Sequence, residues 1–576
     1  MDKAQVSSLL HEIGLLLELT GENPFKARAY YGAARALDSL DEDLATLIQE
    51  DRLSRVAGIG QALREKISTL VRTGRLQYHE DLRSQVPPGL LAMLRVPGLG
   101  PRKVQTLHHT LGLANLEDLE KAAREQRIQS LPGFGVKTEL KILAGLAWMA
   151  KHKGLHLGAV AHAAASSLVE ALTGMSGVTA VAIAGSLRRG KEVVRDIDLV
   201  AAAAEPIKVA EQFMHLSEVD RADAAGETRV VAGLRNGIDV DLRVVPAVEY
   251  ASALLHLTGS KEHHMALRVL AGERGLKLNE YGLFRGEERL DLGTEEELYQ
   301  ALGLSFIPPE LREDMGEIRA AAQDALPALV RPEGVRGAVH VHTSYSDGTA
   351  ALAEMAGAAA ALGWEYLGLA DHSQSAAYAG GLRVESLRKQ WAEIAAHNQG
   401  GHKPRLLAGI ECDIKTDGTL DYPDEILAQF DYVVASVHSG FHLDRAAMTA
   451  RIVRAMRHPF VTVLGHPTGR ILLERDGYDV DLEEILVAAA EYHVALEINA
   501  SPYRLDLDWR WCRKARERGI VFWVNPDAHS LLELENMPLG ITVARKGWLT
   551  GAQVANTWSL ERIREAWREK RGKYNP

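Results

Sequence analysis

The sequence predicts a multidomain fold in three parts: a helical N-terminal region, a mixed α/β unit and a C-terminal (β/α)7-like parallel barrel. Three observations carry that reading. The chain has 576 residues, more than one hydrophobic core organises at roughly 100–200 residues per domain. Apolar spacing is helical up to residue 150 and turns to short strands from about Val178. Beyond residue 336, apolar runs begin near Ala338, Tyr366, Leu406, Tyr432, Val461, Val494 and Ile520, at roughly the 30-residue length of a βα unit. Seven such units suggest a closed or nearly closed barrel with polar strand ends lining its site.

Composition narrows the function classes. Apolar residues at 46% and charged residues at 25% are ordinary for globular domains, which argues against wholesale disorder or a fibre. The longest apolar stretches, residues 178–185 and 461–465, are strand-sized, far short of the roughly 20 residues of a membrane helix. Met1-Asp2-Lys3-Ala4-Gln5 lacks the start of a secretory signal. No membrane partner and a cytoplasmic location are therefore expected. Cys412 and Cys512 are the only cysteines, so any metal must be held by His and carboxylates. The net charge of −11 hides a segregation: residues 51–150 carry 15 Lys/Arg against 9 Asp/Glu, and residues 201–300 carry 11 against 18. The basic segment can meet phosphates electrostatically.

In the helical region, Val6 to Ile13 and the Ala-rich run of residues 26–37 have helical periodicity. A loose repeat follows. Gly58-Ile59-Gly60, Gly98-Leu99-Gly100 and Gly133-Phe134-Gly135 each precede a helical stretch carrying Lys or Arg.

In the α/β unit the expected strands are residues 178–184, 196–201 and a hairpin over 228–245 turning at Asn236-Gly237. Asp196 and Asp198 point to one strand face, and two like charges side by side ask for a cation. Gly185-Ser186-Leu187-Arg188-Arg189-Gly190 offers backbone N–H groups, a hydroxyl and two Arg to an anion such as phosphate. Asp241, on the return strand, adds a third carboxylate. Three carboxylates on adjacent strands suit two Mg²⁺ or Mn²⁺ ions and nucleotidyl transfer.

These residues resemble family X DNA polymerases, the DNA polymerase beta group. Gly185-Ser186 with Arg189, Asp196, Asp198, Asp241-Leu242-Arg243, Thr258-Gly259-Ser260, Arg268 and Asn279-Glu280-Tyr281 fall in that family's order. The resemblance implies metal binding by Asp196, Asp198 and Asp241. It implies nucleotide binding at Gly185, Ser186, Arg189, Thr258 and Gly259, and a template contact at Arg268. Gly58, Gly60, Gly98, Gly100, Gly133 and Gly135 would then belong to helix-hairpin-helix turns gripping DNA phosphates without reading sequence. Two departures stand out. His256-Leu257 replaces a Tyr-Phe pair beside the sugar, and Asp239 replaces an Arg two residues before the third carboxylate. Asp239 either raises the metal requirement or is solvated. Lys66 matches the lysine that forms a Schiff base in members removing a 5′-deoxyribose phosphate, with Lys26 and Tyr30 placed for the phosphate pocket but Ala62 where a further Lys is expected. It is either that nucleophile, its pKa lowered by burial or by cations such as Arg64, or a solvent-facing helix residue.

In the barrel region, His340-Val341-His342 puts two imidazoles on one strand face, and Asp347, Asp371-His372, Glu411, His438, His466 and Asp527-Ala528-His529 follow at strand ends. Imidazole and carboxylate without thiolate suit Mn²⁺, Zn²⁺ or Fe²⁺. The set looks like a PHP domain, a family of metal-dependent phosphoesterases. The resemblance implies up to three ions: one on His340, His342, Glu411 and Asp527, a second on Glu411, His438 and His466, a third on Asp347, His372 and His529.

Together the resemblances imply a lyase-like helical DNA-binding domain (1–85), a helix-hairpin-helix subdomain (86–155) and a nucleotidyltransferase palm (156–247). A nascent-base-pair subdomain (248–320), a linker (321–335) and the PHP domain (336–576) complete the chain. The expected protein is a monomeric DNA-directed DNA polymerase that fills short gaps in base excision repair from dNTPs on gapped or primer-template DNA, with a 3′–5′ exonuclease whose catalytic bridge is Glu411. The rival expectation is a DNA-end-binding adaptor that delivers the phosphoesterase without polymerising. A small-molecule phosphatase would leave the helical region unexplained.

Overall fold

The computed structural model describes residues 1, 3–38, 40, 44–56, 58–224 and 226–574; Ala57, beside the first Gly turn, lies outside them. Two compact units emerge, Met1–Lys153 and Gly154–Pro576. No described helix is long and apolar enough to cross a membrane.

Met1–Lys153 is built of helices. Leu10, Ile13 and Leu17 from Lys3–Leu19 join Ala27, Tyr30 and Ala34 from Pro24–Asp38 in one apolar core, the outcome that 3.6-residue spacing dictates. The three Gly turns adopt one geometry. Gly58, Gly98 and Gly133 sit at φ of 87°, 87° and 80°, a region costly for any residue with a Cβ. Gly60, Gly100 and Gly135 then start the helices Gln61–Thr73, Pro101–Leu111 and Val136–His152.

In Gly154–Pro576, five strands make the α/β sheet: β1 (Val178–Ile183), β2 (Asp196–Ala203), β3 (Val219–Ala224), β4 (Arg229–Leu234) and β5 (Asp239–Val245). Their order is β1-β2-β5-β4-β3, with β2 and β5 parallel and the other neighbours antiparallel. Ile197 and Leu199 of β2 turn into a core shared with Leu168 and Phe213. The alternate residues Asp196 and Asp198 are thereby left on the open face.

The barrel strands are β6 (Gly337–Ala338), β7 (Tyr366–Leu369), β8 (Arg405–Ala408), β9 (Glu411–Asp413), β10 (Val433–Ser436), β11 (Val461–Leu464), β12 (Ala495–Asn499) and β13 (Phe522–Asn525). All pairings are parallel. β8 and β9 follow one another with two residues between, so eight runs make seven staves. Bridges His372 to Glu411 and Val341 to Ala528 join the two sheets and close the ring. Val339, just past β6, joins Tyr366, Leu407, Val434, Val463, Ala495 and Trp523 from the other staves in a single apolar cluster, so the barrel is packed rather than hollow.

The segment 321–335, expected as a linker, is docked. Leu329 bridges to Thr550, the Val330 amide donates to the Leu549 carbonyl at 2.9 Å, and Val330 is 2% exposed.

Candidate metal centres and nucleic-acid contacts

At the three Gly turns the chain doubles back through a short backbone bond: Ile59 to Val56 at 3.3 Å, Leu99 to Val96 and Phe134 to Leu131 at 3.0 Å. The next helix then presents its free N–H groups, a ready anion site. A Cβ built on Gly60, Gly100 or Gly135 meets nothing within 4 Å, and their φ values are ordinary, so the fold itself tolerates a side chain there. Gly60→Ala is therefore expected to fold normally and to weaken DNA binding uniformly across sequences, measured by titration of gapped DNA with two unrelated sequences.

Helix Gln61–Thr73 carries Lys66 on its half-buried face. Its Nζ donates to Tyr30 Oη and lies 3.9 Å from the centre of the Tyr78 ring. Burial, then the charge of Lys26, hold its pKa below the usual lysine value. The neighbouring cation is thus Lys26 rather than Arg64, and Lys66 is not solvent-facing. Ala62 is exposed on the same helix.

In the α/β unit, the register sets Asp196 opposite Asp239 and Asp198 opposite Asp241. Burial, then the charges of Asp196 and Asp241, push Asp198 up to about 7; the carboxylates repel one another and favour a cation. Asp241 accepts from Arg229 Nε at 3.1 Å, a partner across the hairpin that sequence reasoning missed. Asp239 is exposed and accepts from Arg221 at 2.8 Å. The Gly185 turn lies directly over Asp198: at φ 60°, a Cβ on Gly185 would fall 1.7 Å from Asp198 Oδ2. Ser186 follows on the short helix Gly185–Arg188. Arg188 donates to Thr258 Oγ1 at 2.7 Å and Arg189 to the Thr258 carbonyl at 2.8 Å, tying the turn to buried Thr258, with Gly259 next in the chain. Arg268 stands exposed on helix Lys261–Glu273. His256 Nδ1 faces His264 Nε2 at 3.1 Å.

At the C-terminal ends of the barrel strands the structure gathers the remaining predicted residues. Glu411, 1% exposed, lies within 3.8 Å of five imidazoles: His372 at 2.8 Å, His466 at 2.9 Å, His438 at 3.3 Å, His340 at 3.4 Å and His342 at 3.8 Å. Among the described residues, three donor groups converge within 4.8 Å: His340, His342 and Asp527; His372, Glu411 and His438; and His342, Asp347, His372 and His529. His372 thus faces Glu411 and His438 as well as Asp347 and His529, while His466 reaches the cluster through Glu411. The palm carboxylates are not among these groups. His466 and Asp527 sit at φ 23° and 51°, strain of the kind concentrated at functional sites.

Outer partners hold the imidazoles. Buried Glu497 accepts from His340 Nδ1 at 2.7 Å and the His466 amide at 2.6 Å. Asp413 accepts from His438 Nδ1 at 2.5 Å and Ser375 at 2.6 Å. Asp371 accepts from the Thr343 amide and hydroxyl, Ser346 and Gln390 and is a framework residue. Fixing the second nitrogen sets tautomer and ring direction. His340 Nε2 is buried and makes no hydrogen bond, which with the all-N/O donor set fits divalent transition metals. Arg504, 3.7 Å from Asp527 Oδ2, and exposed Tyr378, its ring 6.1 Å from that of His372, stand at the rim.

Comparison with known proteins follows the same divisions. Family models match residues 1–76 (helix-hairpin-helix domain), 90–147 (SAM-like helix-hairpin-helix tandem), 253–313 (DNA polymerase beta thumb) and 338–501 (PHP domain). The chain is 36% identical over 567 residues, 98% of its length and 99% of the relative's, to the DNA polymerase/3′-5′ exonuclease PolX of Bacillus subtilis strain 168. It is 25% identical over 319 residues, 49% of the chain and 57% of the relative, to DNA polymerase lambda of Arabidopsis thaliana. A probable phosphatase of Thermoanaerobacter sp. strain X514 is 31% identical over 178 residues, 29% of the chain and 70% of that protein.

Proposed function

Because the chain belongs to the family X DNA polymerases that carry a C-terminal PHP domain, we propose that its polymerase centre is Asp196, Asp198 and Asp241 and its nuclease centre the cluster around Glu411. The protein is a DNA-binding, DNA-directed DNA polymerase with a metal-dependent 3′–5′ exonuclease. The adaptor reading is set aside, since the match to a polymerase/exonuclease runs through the whole chain.

The observation that carries the residue assignment is the register of β2 and β5, which lines up Asp196 and Asp198 with the return strand, beneath the Gly185 turn. There the turn amides, the Ser186 hydroxyl, Arg189, Thr258 and Gly259 would seat the triphosphate of a dNTP, and Arg268 would meet the template. The carboxylates would hold Mg²⁺ or Mn²⁺; the barrel cluster would hold up to three Mn²⁺, Zn²⁺ or Fe²⁺ ions. Divalent ions in such sites neutralise phosphate charge and make a hydroxyl or water nucleophilic near neutral pH. Arg504 supplies a cation beside Asp527 for the phosphodiester, and Glu497 and Asp413 keep His340 and His438 aimed. The six turn glycines would grip DNA phosphates. We propose that the enzyme works as a monomer on short gaps in repair. Extension of a primer across a short gap, followed by degradation of the same 3′ end when dNTPs are withheld, tests the assignment; extension with no nucleolysis in Mn²⁺ would refute the barrel half.

The Lys66 geometry supports a deoxyribose-phosphate lyase. Its amine, with a pKa held below the usual lysine value by burial and Lys26, would attack the sugar aldehyde as the free base and release water as the Schiff base forms. Borohydride trapping on incised abasic DNA is expected to give a covalent adduct that disappears in Lys66→Ala. An adduct unchanged in that variant would remove Lys66 as the nucleophile.

A further inference from the structure

We infer that Lys546, a residue of the PHP domain, is a positioning residue of the polymerase's triphosphate site; the inference rests on the placing of Arg189 in that site. Helix Met537–Lys546 packs on the barrel, where a Cβ on Gly540 would meet Val524 Cγ1 at 2.5 Å. It also packs beneath the phosphate-binding turn: a Cβ on Gly190 would meet Thr542 Cγ2 at 2.3 Å. Lys546, 1% exposed, ends that helix and reaches across. Its Nζ donates to the Arg189 carbonyl at 2.9 Å, the Glu310 carbonyl at 3.3 Å and Glu313 Oε1 at 2.7 Å, with the Trp509 ring 4.7 Å away. Glu313 also accepts from Arg189 Nε at 3.1 Å and pairs with Lys191 at 3.0 Å.

One carboxylate thus faces three cations. Burial alone would raise Glu313, but Lys546, Lys191 and Arg189 bring it down to about 2. At Glu313 the cations outnumber the carboxylate, and one of them comes from the other catalytic domain. Two consequences point the same way. Lys546 fixes the main chain at Arg189, which aims the turn amides. It also takes a share of Glu313, which otherwise would close on the Arg189 guanidinium and compete with phosphate. A charge-assisted bond at a buried site is worth enough to matter, and surface ion pairs of the kind that contribute little are not its equivalent.

The test is Lys546→Met and Lys546→Gln in the full chain, with Arg189→Ala as reference. Each Lys546 variant is expected to raise KM for the incoming dNTP about tenfold, the size of one lost charge-assisted hydrogen bond. kcat at saturating dNTP, the Kd for gapped DNA and Mn²⁺-dependent exonuclease should stay near the parent values. The retained exonuclease reports that the barrel is folded. If both Lys546 variants lose exonuclease through misfolding, Glu313→Gln removes the carboxylate that Lys546 and Arg189 share while leaving the Lys546 bond to the Arg189 carbonyl; the dNTP KM is then expected to fall as the guanidinium is freed for phosphate, and an unchanged KM in that variant overturns the inference. A raised KM in Arg189→Ala with no change in either Lys546 variant also overturns it and leaves the polymerase assignment standing. An unchanged KM in Arg189→Ala instead refutes the placing of Arg189, and with it the inference.

Discussion

Glu411→Ala is expected to abolish degradation of single-stranded DNA while primer extension on the same preparation continues. The reason is geometric. Five imidazoles lie within 3.8 Å of this one carboxylate, His466 Nε2 among them at 2.9 Å. Removing it leaves a buried ring of imidazoles with no anion at its centre, so both the charge balance and the common bridging point are lost. The change should exceed that of Glu497→Gln, which disturbs the partner of His340 Nδ1 and of the His466 amide and belongs to the roughly 10–100-fold class of outer partners. Exonuclease rates in Mn²⁺ for the two variants give the comparison, and a Glu411→Ala rate equal to that of Glu497→Gln would overturn the bridging role. Mn²⁺ is expected to support nucleolysis better than Mg²⁺, because imidazole donors prefer transition metals.

Asp198→Ala is expected to abolish extension and to leave nucleolysis intact. Asp198 is covered by the Gly185 turn at a distance that admits no side chain, and it faces Asp241 across the parallel register. Losing it removes both a proposed metal ligand and the floor of the turn. Asp196→Ala and Asp241→Ala should also stop extension. Full extension by Asp241→Ala would sink the assignment and make Asp239 the next residue to change, although Asp239 is exposed and already held by Arg221.

Much of this was legible before any coordinates, for a physical reason. The barrel staves are short apolar runs at regular spacing, and their site residues are imidazoles and acids placed where such runs end, so chain order alone marks them. Asp196 and Asp198 are visible because the pair follows a Gly-Ser turn with two Arg and precedes a third carboxylate at Asp241; two acids at period two would by themselves fit an ordinary exposed strand. Glu497 was not legible. It sits inside Ala495-Leu496-Glu497-Ile498-Asn499, a sequence indistinguishable from a core strand, and its role exists only once the ring brings His340 and the His466 amide to it. Asp413 hides in the same way two residues after Glu411, where its spacing was the one available signal. Arg229 needed the hairpin register to meet Asp241. Lys26 beside Lys66 depended on how Pro24–Asp38 and Gln61–Thr73 pack, which apolar periodicity does not specify.

The docking of residues 321–335 on the barrel bears on how the chain breaks down. Pro327 and Pro332 flank a stretch whose composition invites a protease, yet Leu329 is bridged to Thr550, and the Val330 carbonyl accepts from Arg545 at 3.0 Å. Cleavage requires a backbone segment to leave its partners and enter the protease as an extended strand, so a bond-paired segment is cut only as fast as it detaches. Nicking here is expected to be slow, and the two fragments are expected to stay together on a sizing column until denaturant is added. The polymerase and nuclease halves of Gly154–Pro576 would then melt as one cooperative unit, a single calorimetric transition rather than two.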